Sequence, residues 1–159
     1  MNWNEFETQL YTMVMVEREG EVLLVKRPDR KGFPGHIAPG GKIDFPESPA
    51  EGAIREVREE TGLKVERLIF KGIEEFVIPH KKFRYTVYNY IAKEVSGDLL
   101  ENPPEGELVW VKKGEALELP MQSWFKRRFP YFFKAGTFEI HSKWNGENRG
   151  EAEVSIREL

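Results

Sequence analysis

Cysteine is absent from the 159 residues. Its absence excludes disulfide bonds and thiolate zinc sites, and it is consistent with the reducing cytoplasm, where we expect the protein to reside. No apolar run approaches the roughly 18 residues that cross a bilayer. Residues 1–5 lack the basic start and apolar core of a signal peptide. We therefore expect neither a membrane partner nor a signal peptide.

A basic excess is also missing, because the formal net charge is −3. General nucleic-acid binders normally carry a positive surplus, so the charge argues against a nucleic-acid partner. A small phosphorylated ligand needs only a local positive site and remains compatible. Hydrophobic residues make up 40% of the chain, enough for a real core, and the length predicts a single domain over residues 1–159. The oligomeric state is not readable from these features.

Residues 40–63 carry the signature of a glycine loop that leads into a capped helix. Ser48 is a good N-cap, Pro49 suits the first helical position, and Glu51 completes a capping box with Ser48. Gly62 is typical of the residue that ends a helix. The apolar positions between them share one helical stripe, made of Ala50, Ala53, Ile54 and Val57.

A second face of this helix is acidic. Glu56, Glu59 and Glu60 are spaced i, i+3 and i+4, so their side chains are neighbours. One interpretation is a solvated acidic face. The other is a divalent cation site, because carboxylate oxygens are the ligands that Mg²⁺ and Mn²⁺ prefer and a cation removes the mutual repulsion.

The spacing of the whole segment favours the second interpretation. Gly41, five residues, Glu47, seven residues and then REVREETGL over residues 55–63 resemble the Nudix box at every defining position. The resemblance implies an α+β fold, the Nudix α/β/α sandwich with a mixed β-sheet. It also implies a hydrolase of phosphoric anhydride bonds in nucleoside diphosphate derivatives, with Mg²⁺ or Mn²⁺ as cofactor.

The same resemblance implies roles for individual residues. Glu56 and Glu60 would be direct metal ligands, and Glu59 would be a ligand directly or through water. The Gly40 carbonyl would join them. Glu47 and Arg55 match the family's supporting pair, with Arg55 close to the chemistry. The remaining structural positions are Gly41 and Gly62.

Beyond the box, the chain resembles the MutT-type branch, whose members cleave nucleoside triphosphates to the monophosphate and pyrophosphate. Residues 10–16 with 22–27 resemble the branch's first hairpin, and residues 136–159 resemble its terminal hairpin. Glu105, five residues before Trp110, matches a further metal-binding or catalytic glutamate. It could equally be an ordinary loop carboxylate. The animal oxidised-purine triphosphatases of this branch carry an Asn where this chain has Ile37, and an acidic pair that residues 121–124 lack, so base specificity does not carry over.

Candidate substrate contacts lie outside the acidic face. Arg27 and Lys42 flank it in sequence and either could bind the outer phosphates or be a surface cation. Trp124 lies in an aromatic and basic segment over residues 121–133. That segment predicts either a stacking wall for a base or a helix that packs on the core beside solvated cations, and we favour the core helix.

We therefore expect a metal-dependent nucleoside triphosphate pyrophosphohydrolase that binds a nucleotide substrate. Sanitisation of 8-oxo-dGTP, and thus a contribution to DNA repair, is one form of this activity. The alternatives are a Nudix hydrolase for a nucleotide sugar, a dinucleotide or an RNA 5′ end, and a non-catalytic Nudix binding module. A module would be expected to lose acidic ligands, and all three helical glutamates are present.

Overall fold

The computed structural model describes residues 5–30, 32, 34–145 and 150–159. Within these ranges the strands are β1 (Glu7–Arg18), β2 (Glu21–Arg27), β3 (Gly35–Ile37), β4 (Gly40–Lys42), β5 (Lys64–Ile78), β6 (Phe83–Ser96), β7 (Glu107–Lys112), β8 (Phe138–Asn145) and β9 (Gly150–Glu158). The helices are α1 (Pro49–Thr61) and α2 (Ser123–Arg128), with 3₁₀ turns over Pro79–Lys81, Lys113–Glu118 and Phe129–Phe132. No helix in these ranges is long and apolar enough to cross a bilayer.

The described strands form one mixed sheet. Its main order is β3-β2-β1-β6-β5-β8-β9, while β4 pairs with β1 and β7 pairs with β2. The β1–β6 and β5–β8 pairs are parallel, and the other pairs are antiparallel. The predicted α+β class with a mixed sheet is therefore confirmed.

Helices cover both faces of the sheet. Successive residues of a strand point to opposite faces, so β1 supplies Val14 and Val16 to one core and Met13 and Met15 to the other. The first core contains Ala53 and Val57 of α1. The second contains three aromatic side chains from α2 and the turn after it, which are Phe125, Phe129 and Phe132. These layers confirm the predicted α/β/α sandwich.

The caps of α1 are those that the sequence predicts. The Ser48 hydroxyl accepts a hydrogen bond from the Glu51 backbone N–H at 3.1 Å. Gly62 ends the helix at φ 85°, in the left-handed region that favours glycine. The predicted apolar stripe is wrong at one position, because Ile54 is 40% exposed whereas Ala53 and Val57 are fully buried. The buried stripe of α1 is therefore narrower than the sequence predicts, and Ile54 lies outside it.

Prolines and glycines in residues 28–39 predict a loop, but this segment contains the short strand β3, which pairs with β2 through Lys26 and His36. The dipeptide Asn145-Gly146 predicts a hairpin turn. This turn lies partly outside the described residues, although the flanking strands β8 and β9 pair as a hairpin. At Gly72 the pairing of β5 with β6 shifts register.

The aromatic segment over residues 121–133 packs on the core, which is the interpretation that we favoured from the sequence. It is α2 followed by a 3₁₀ turn, and Pro130 lies at the start of that turn, where its missing N–H is tolerated. The expectation of solvated cations is wrong for Arg128, which is fully buried. Its Nε donates to Glu74 Oε1 at 3.1 Å and its Nη1 donates to Asn89 Oδ1 at 3.1 Å. An ion pair replaces water around this guanidinium.

We predict that Glu74→Gln lowers the free energy of unfolding by about 3–5 kcal/mol, because it leaves the Arg128 charge buried without a counter-charge. Glu74 is itself fully buried. The measurement is urea unfolding followed by circular dichroism. Glu94→Gln is the control, since the Glu94 side chain is 60% exposed. Equal stability of the two variants would contradict the assignment of a buried ion pair.

Candidate active site

One cavity of about 750 Å³ brings together acidic and aromatic side chains. Its carboxylates come from α1 and from the loop before β7, and they are Glu56, Glu60 and Glu105. Its aromatic walls come from β1, β5, β6, α2 and β8, and they are Tyr11, Phe76, Phe83, Tyr85, Trp124 and Trp144. The cavity therefore combines a site for a cation with surfaces on which a planar ring can stack.

Strand β4 positions the two carboxylates of α1. It pairs with β1 through Gly40 and Gly41, and the Gly40 N–H donates to Glu60 Oε2 at 3.2 Å. A Cβ atom on Gly41 would lie 2.5–2.7 Å from the carboxyl atoms of Glu56. A Cβ on Gly40 would collide with the backbone of Thr12 in β1. Glycine at position 40 lets β4 pair closely with β1, and glycine at position 41 lets β4 lie against the Glu56 carboxyl.

Arg55 connects the helix to the loop that precedes it. Its guanidinium donates to Glu47 at 2.6 Å from Nη2 and 3.0 Å from Nε, and to the Lys42 carbonyl at 3.0 Å. Its Nη1 donates to Glu56 and to Glu59, each at 3.0 Å. The pKa of Glu47 is lowered, chiefly by the hydrogen bond from Arg55, and the pKa of Arg55 is raised by the same contact. The pair thus holds the loop against α1.

Burial disfavours the charged forms of Glu56 and Glu60. The pKa of Glu60 is raised to about 8, first by burial and then by the negative charges of Glu56 and Glu105, against the opposing hydrogen bond from Gly40. The pKa of Glu56 is also raised by burial, against the effect of Arg55. A bound cation would relieve both penalties.

The donor set fits a hard divalent cation, because it consists of carboxylate oxygens. Among the described residues, however, no three acidic or histidine side chains already stand together as a coordination shell. The Arg55 guanidinium engages one oxygen of each of two carboxylates, Glu56 Oε1 and Glu59 Oε2, through Nη1.

The predicted site residues fall into two groups. The cavity lining includes Gly40, Gly41, Glu56, Glu60, Glu105, Arg27 and Trp124. Outside the lining are Lys42, Glu47, Arg55, Glu59 and Gly62. The Glu59 side chain is 59% exposed, and Lys42 is also exposed, so neither enclosure nor a second partner fixes their orientation.

Sequence reasoning missed several residues of the lining. Thr12, Arg128 and Trp144 belong to it. The run of three cations at residues 126–128 gives no sign that one of them is buried. Trp144 comes from a strand that is distant in sequence, and only the parallel pairing of β5 with β8 brings it near Phe76.

Comparison with known proteins assigns this geometry to a family. Residues 8–132 match the family model described as the NUDIX domain. YvcI of Bacillus subtilis, named an uncharacterized Nudix hydrolase, is 32% identical over 116 residues, which cover 71% of this chain and 72% of that protein. A crystal structure of a MutT protein from Bacillus halodurans superimposes with a TM-score of 0.80 at 32% identity, covering 93% of this chain and 97% of that one. The CTP pyrophosphohydrolase of Escherichia coli is 28% identical over 123 residues, covering 67% of this chain and 78% of that protein.

We predict that Gly40→Ala and Gly41→Ala affect stability differently. The new methyl group at position 40 meets backbone, which cannot move, so we expect a loss of about 1–3 kcal/mol in the free energy of unfolding. At position 41 it meets the flexible end of Glu56, which can turn away, so the loss stays below about 1 kcal/mol. Urea unfolding measures both.

Gly114→Ala is the control for both variants, because no described atom lies within 4 Å of a Cβ built there. A Gly40→Ala protein as stable as Gly114→Ala would contradict the close packing of β4 on β1.

Proposed function

The chain belongs to the Nudix family, whose members hydrolyse phosphoric anhydride bonds, and from this premise we propose that it is a metal-dependent nucleoside triphosphate pyrophosphohydrolase of the MutT type. The products would be the nucleoside monophosphate and pyrophosphate. The observation that carries the proposal is the convergence of Glu56, Glu60 and Glu105 in a cavity with aromatic walls.

Mg²⁺ is the proposed cofactor, and Mn²⁺ has the same ligand preference. The residues that would hold it are Glu56 and Glu60, with the Gly40 carbonyl and Glu105 completing the donor set. When bound, such a cation offsets the negative charge of the anhydride oxygens and lowers the pKa of a coordinated water. Glu59 is exposed and tied to Arg55, which is compatible with a contact through water.

The protein's own groups would supply the remaining chemistry. Glu105 enters the cavity from a loop rather than from α1, so it is our candidate for the base that accepts the proton of the attacking water. Arg55 keeps α1 and the glycine loop in register through Glu47. Arg27 is our candidate contact for the outer phosphates, because it lines the cavity. Lys42 is left out of this set, because its side chain is exposed outside the lining.

A nucleotide fits the rest of the cavity. Aromatic rings stack on bases with about 1–3 kcal/mol per base, and Trp124 is a wall of the cavity. The relative named CTP pyrophosphohydrolase supports a triphosphate substrate for this chain as well. Oxidised purine triphosphates are candidates within that class, with sanitisation of the nucleotide pool as the cellular consequence.

We predict that Glu56→Gln and Glu60→Gln each reduce kcat by at least about 100-fold, equivalent to about 2.7 kcal/mol of barrier. Each change removes a charged metal ligand and keeps the shape of the side chain. Neither residue belongs to the buried stripe of α1, so the proteins should fold. Steady-state kinetics at saturating Mg²⁺ is the measurement, and Glu94→Gln is the control for removal of an exposed carboxylate. Near-normal rates in both site variants would refute the metal assignment.

The substrate class is tested on the unmodified protein. With Mg²⁺ we expect dGTP, 8-oxo-dGTP, ATP or CTP to give the monophosphate and pyrophosphate rather than orthophosphate. Anion-exchange chromatography of the products distinguishes the two. ADP-ribose and an RNA with a capped 5′ end complete the panel. Preference for either of these, or cleavage of no triphosphate, would replace the proposal with another Nudix activity or with a binding module.

A further inference from the structure

The cavity lining includes buried polar side chains that the proposed chemistry does not use. Arg128 belongs to the lining although it is fully buried. Glu74 Oε1 accepts from its Nε, and Asn89 Oδ1 and Met13 Sδ accept from its Nη1 at 3.1 and 3.2 Å. These contacts fix the plane of the guanidinium. They leave one nitrogen, Nη2, that has no hydrogen-bond partner among the described residues.

An unsatisfied donor on a buried charged group is costly, and most buried polar groups in proteins have a hydrogen-bond partner. Two uncharged residues of the same lining each also carry a buried polar atom that has no hydrogen-bond partner within the described part of the chain. These atoms are Thr12 Oγ1 and Trp144 Nε1. Of the three atoms, two can only donate and the hydroxyl can do either. These three atoms therefore favour a ligand that presents hydrogen-bond acceptors.

Glu74 does not supply an acceptor for Arg128 Nη2. Its carboxylate is engaged by Arg128 Nε at 3.1 Å and by Arg127 Nη2 at 3.6 Å. Trp124 lies over the guanidinium, with 5.3 Å between the Arg128 Cζ and the ring centroid. A ring that stacks in this cavity would thus meet a guanidinium whose position is set by the core and not by the ligand.

We propose that Arg128 determines base specificity, and that its Nη2 donates a hydrogen bond to a carbonyl oxygen on the edge of the substrate base. The inference rests on the proposed nucleotide substrate. A base with a carbonyl at that edge, such as a 6-oxopurine or a 4-oxopyrimidine, supplies the acceptor that Nη2 lacks. An amino group there would oppose donor to donor, and a hydrogen atom would leave Nη2 unsatisfied.

The test uses nucleoside monophosphates, so that binding is measured without hydrolysis. Isothermal titration calorimetry compares inosine 5′-monophosphate with purine riboside 5′-monophosphate, which differ in the carbonyl at position 6 and in the accompanying proton on N1. Uridine 5′-monophosphate and its 4-deoxy analogue form the pyrimidine pair. We expect the carbonyl ligand of at least one pair to bind about 10-fold or more tightly, as for a hydrogen bond to a charged group. The pair that responds identifies the ring. Equal affinities within both pairs, or no binding of any ligand, would overturn the proposal.

Variants assign the effect to the residue. In Arg128→Lys, and in Arg128→Met combined with Glu74→Gln so that no lone charge is buried, we expect the affinity ratio within the responding pair to fall to about one. Lys126→Met, which removes an exposed cation of the same helix, should keep the wild-type ratio. A ratio is unaffected by a general loss of folded protein, so a merely structural role would not change it. A wild-type ratio in both Arg128 variants would overturn the proposal.

A second measurement covers the case in which neither Arg128 variant folds. A crystal structure of the wild type with inosine 5′-monophosphate, or with the uridine ligand if that pair responds, should place the carbonyl oxygen within about 3.2 Å of Nη2. A base bound elsewhere would overturn the inference. Failure of the two proposals is distinguishable. The absence of triphosphate cleavage refutes the function, whereas cleavage with equal affinities within each pair refutes only the role of Arg128.

Discussion

The close contact between β4 and α1 is the constraint on which the site depends. A Cβ at Gly41 would meet the Glu56 carboxyl, and the Gly40 N–H donates to Glu60, so the backbone of β4 lies against both side chains. Burial at this contact raises the pKa of Glu60 to about 8, with further contributions from Glu56 and Glu105. The fold thus concentrates negative charge where water is scarce, and this is the physical basis for expecting a cation there.

Arg55 partly offsets that negative charge. It joins Glu47 of the loop to Glu56 and Glu59 of the helix through one guanidinium. The arrangement ties the loop to the helix, and it engages one oxygen of each of the two helical carboxylates.

On the opposite face of the sheet, the buried charge is positive and the protein itself supplies the counter-charge. There, the charge of Arg128 is neutralised by the buried carboxylate of Glu74, and the Trp124 ring of α2 lies over the guanidinium. Arg128 and the carboxylates of α1 nevertheless line one cavity. An acidic end and an aromatic end suit a ligand with a phosphate chain and a planar ring.

Much of the α1 segment was determined by the sequence alone. The caps at Ser48 and Gly62 and the i, i+3, i+4 spacing of the glutamates depend on neighbours along the chain, and local rules describe such neighbours well. The sandwich was inferred from the resemblance of this segment to a known family. The exposure of Ile54, the burial of Arg128 and the approach of Trp144 to the cavity were decided by tertiary structure. Each depends on which strand pairs with which, and residues far apart in sequence carry no periodic signal of the partner that will cover or neutralise them.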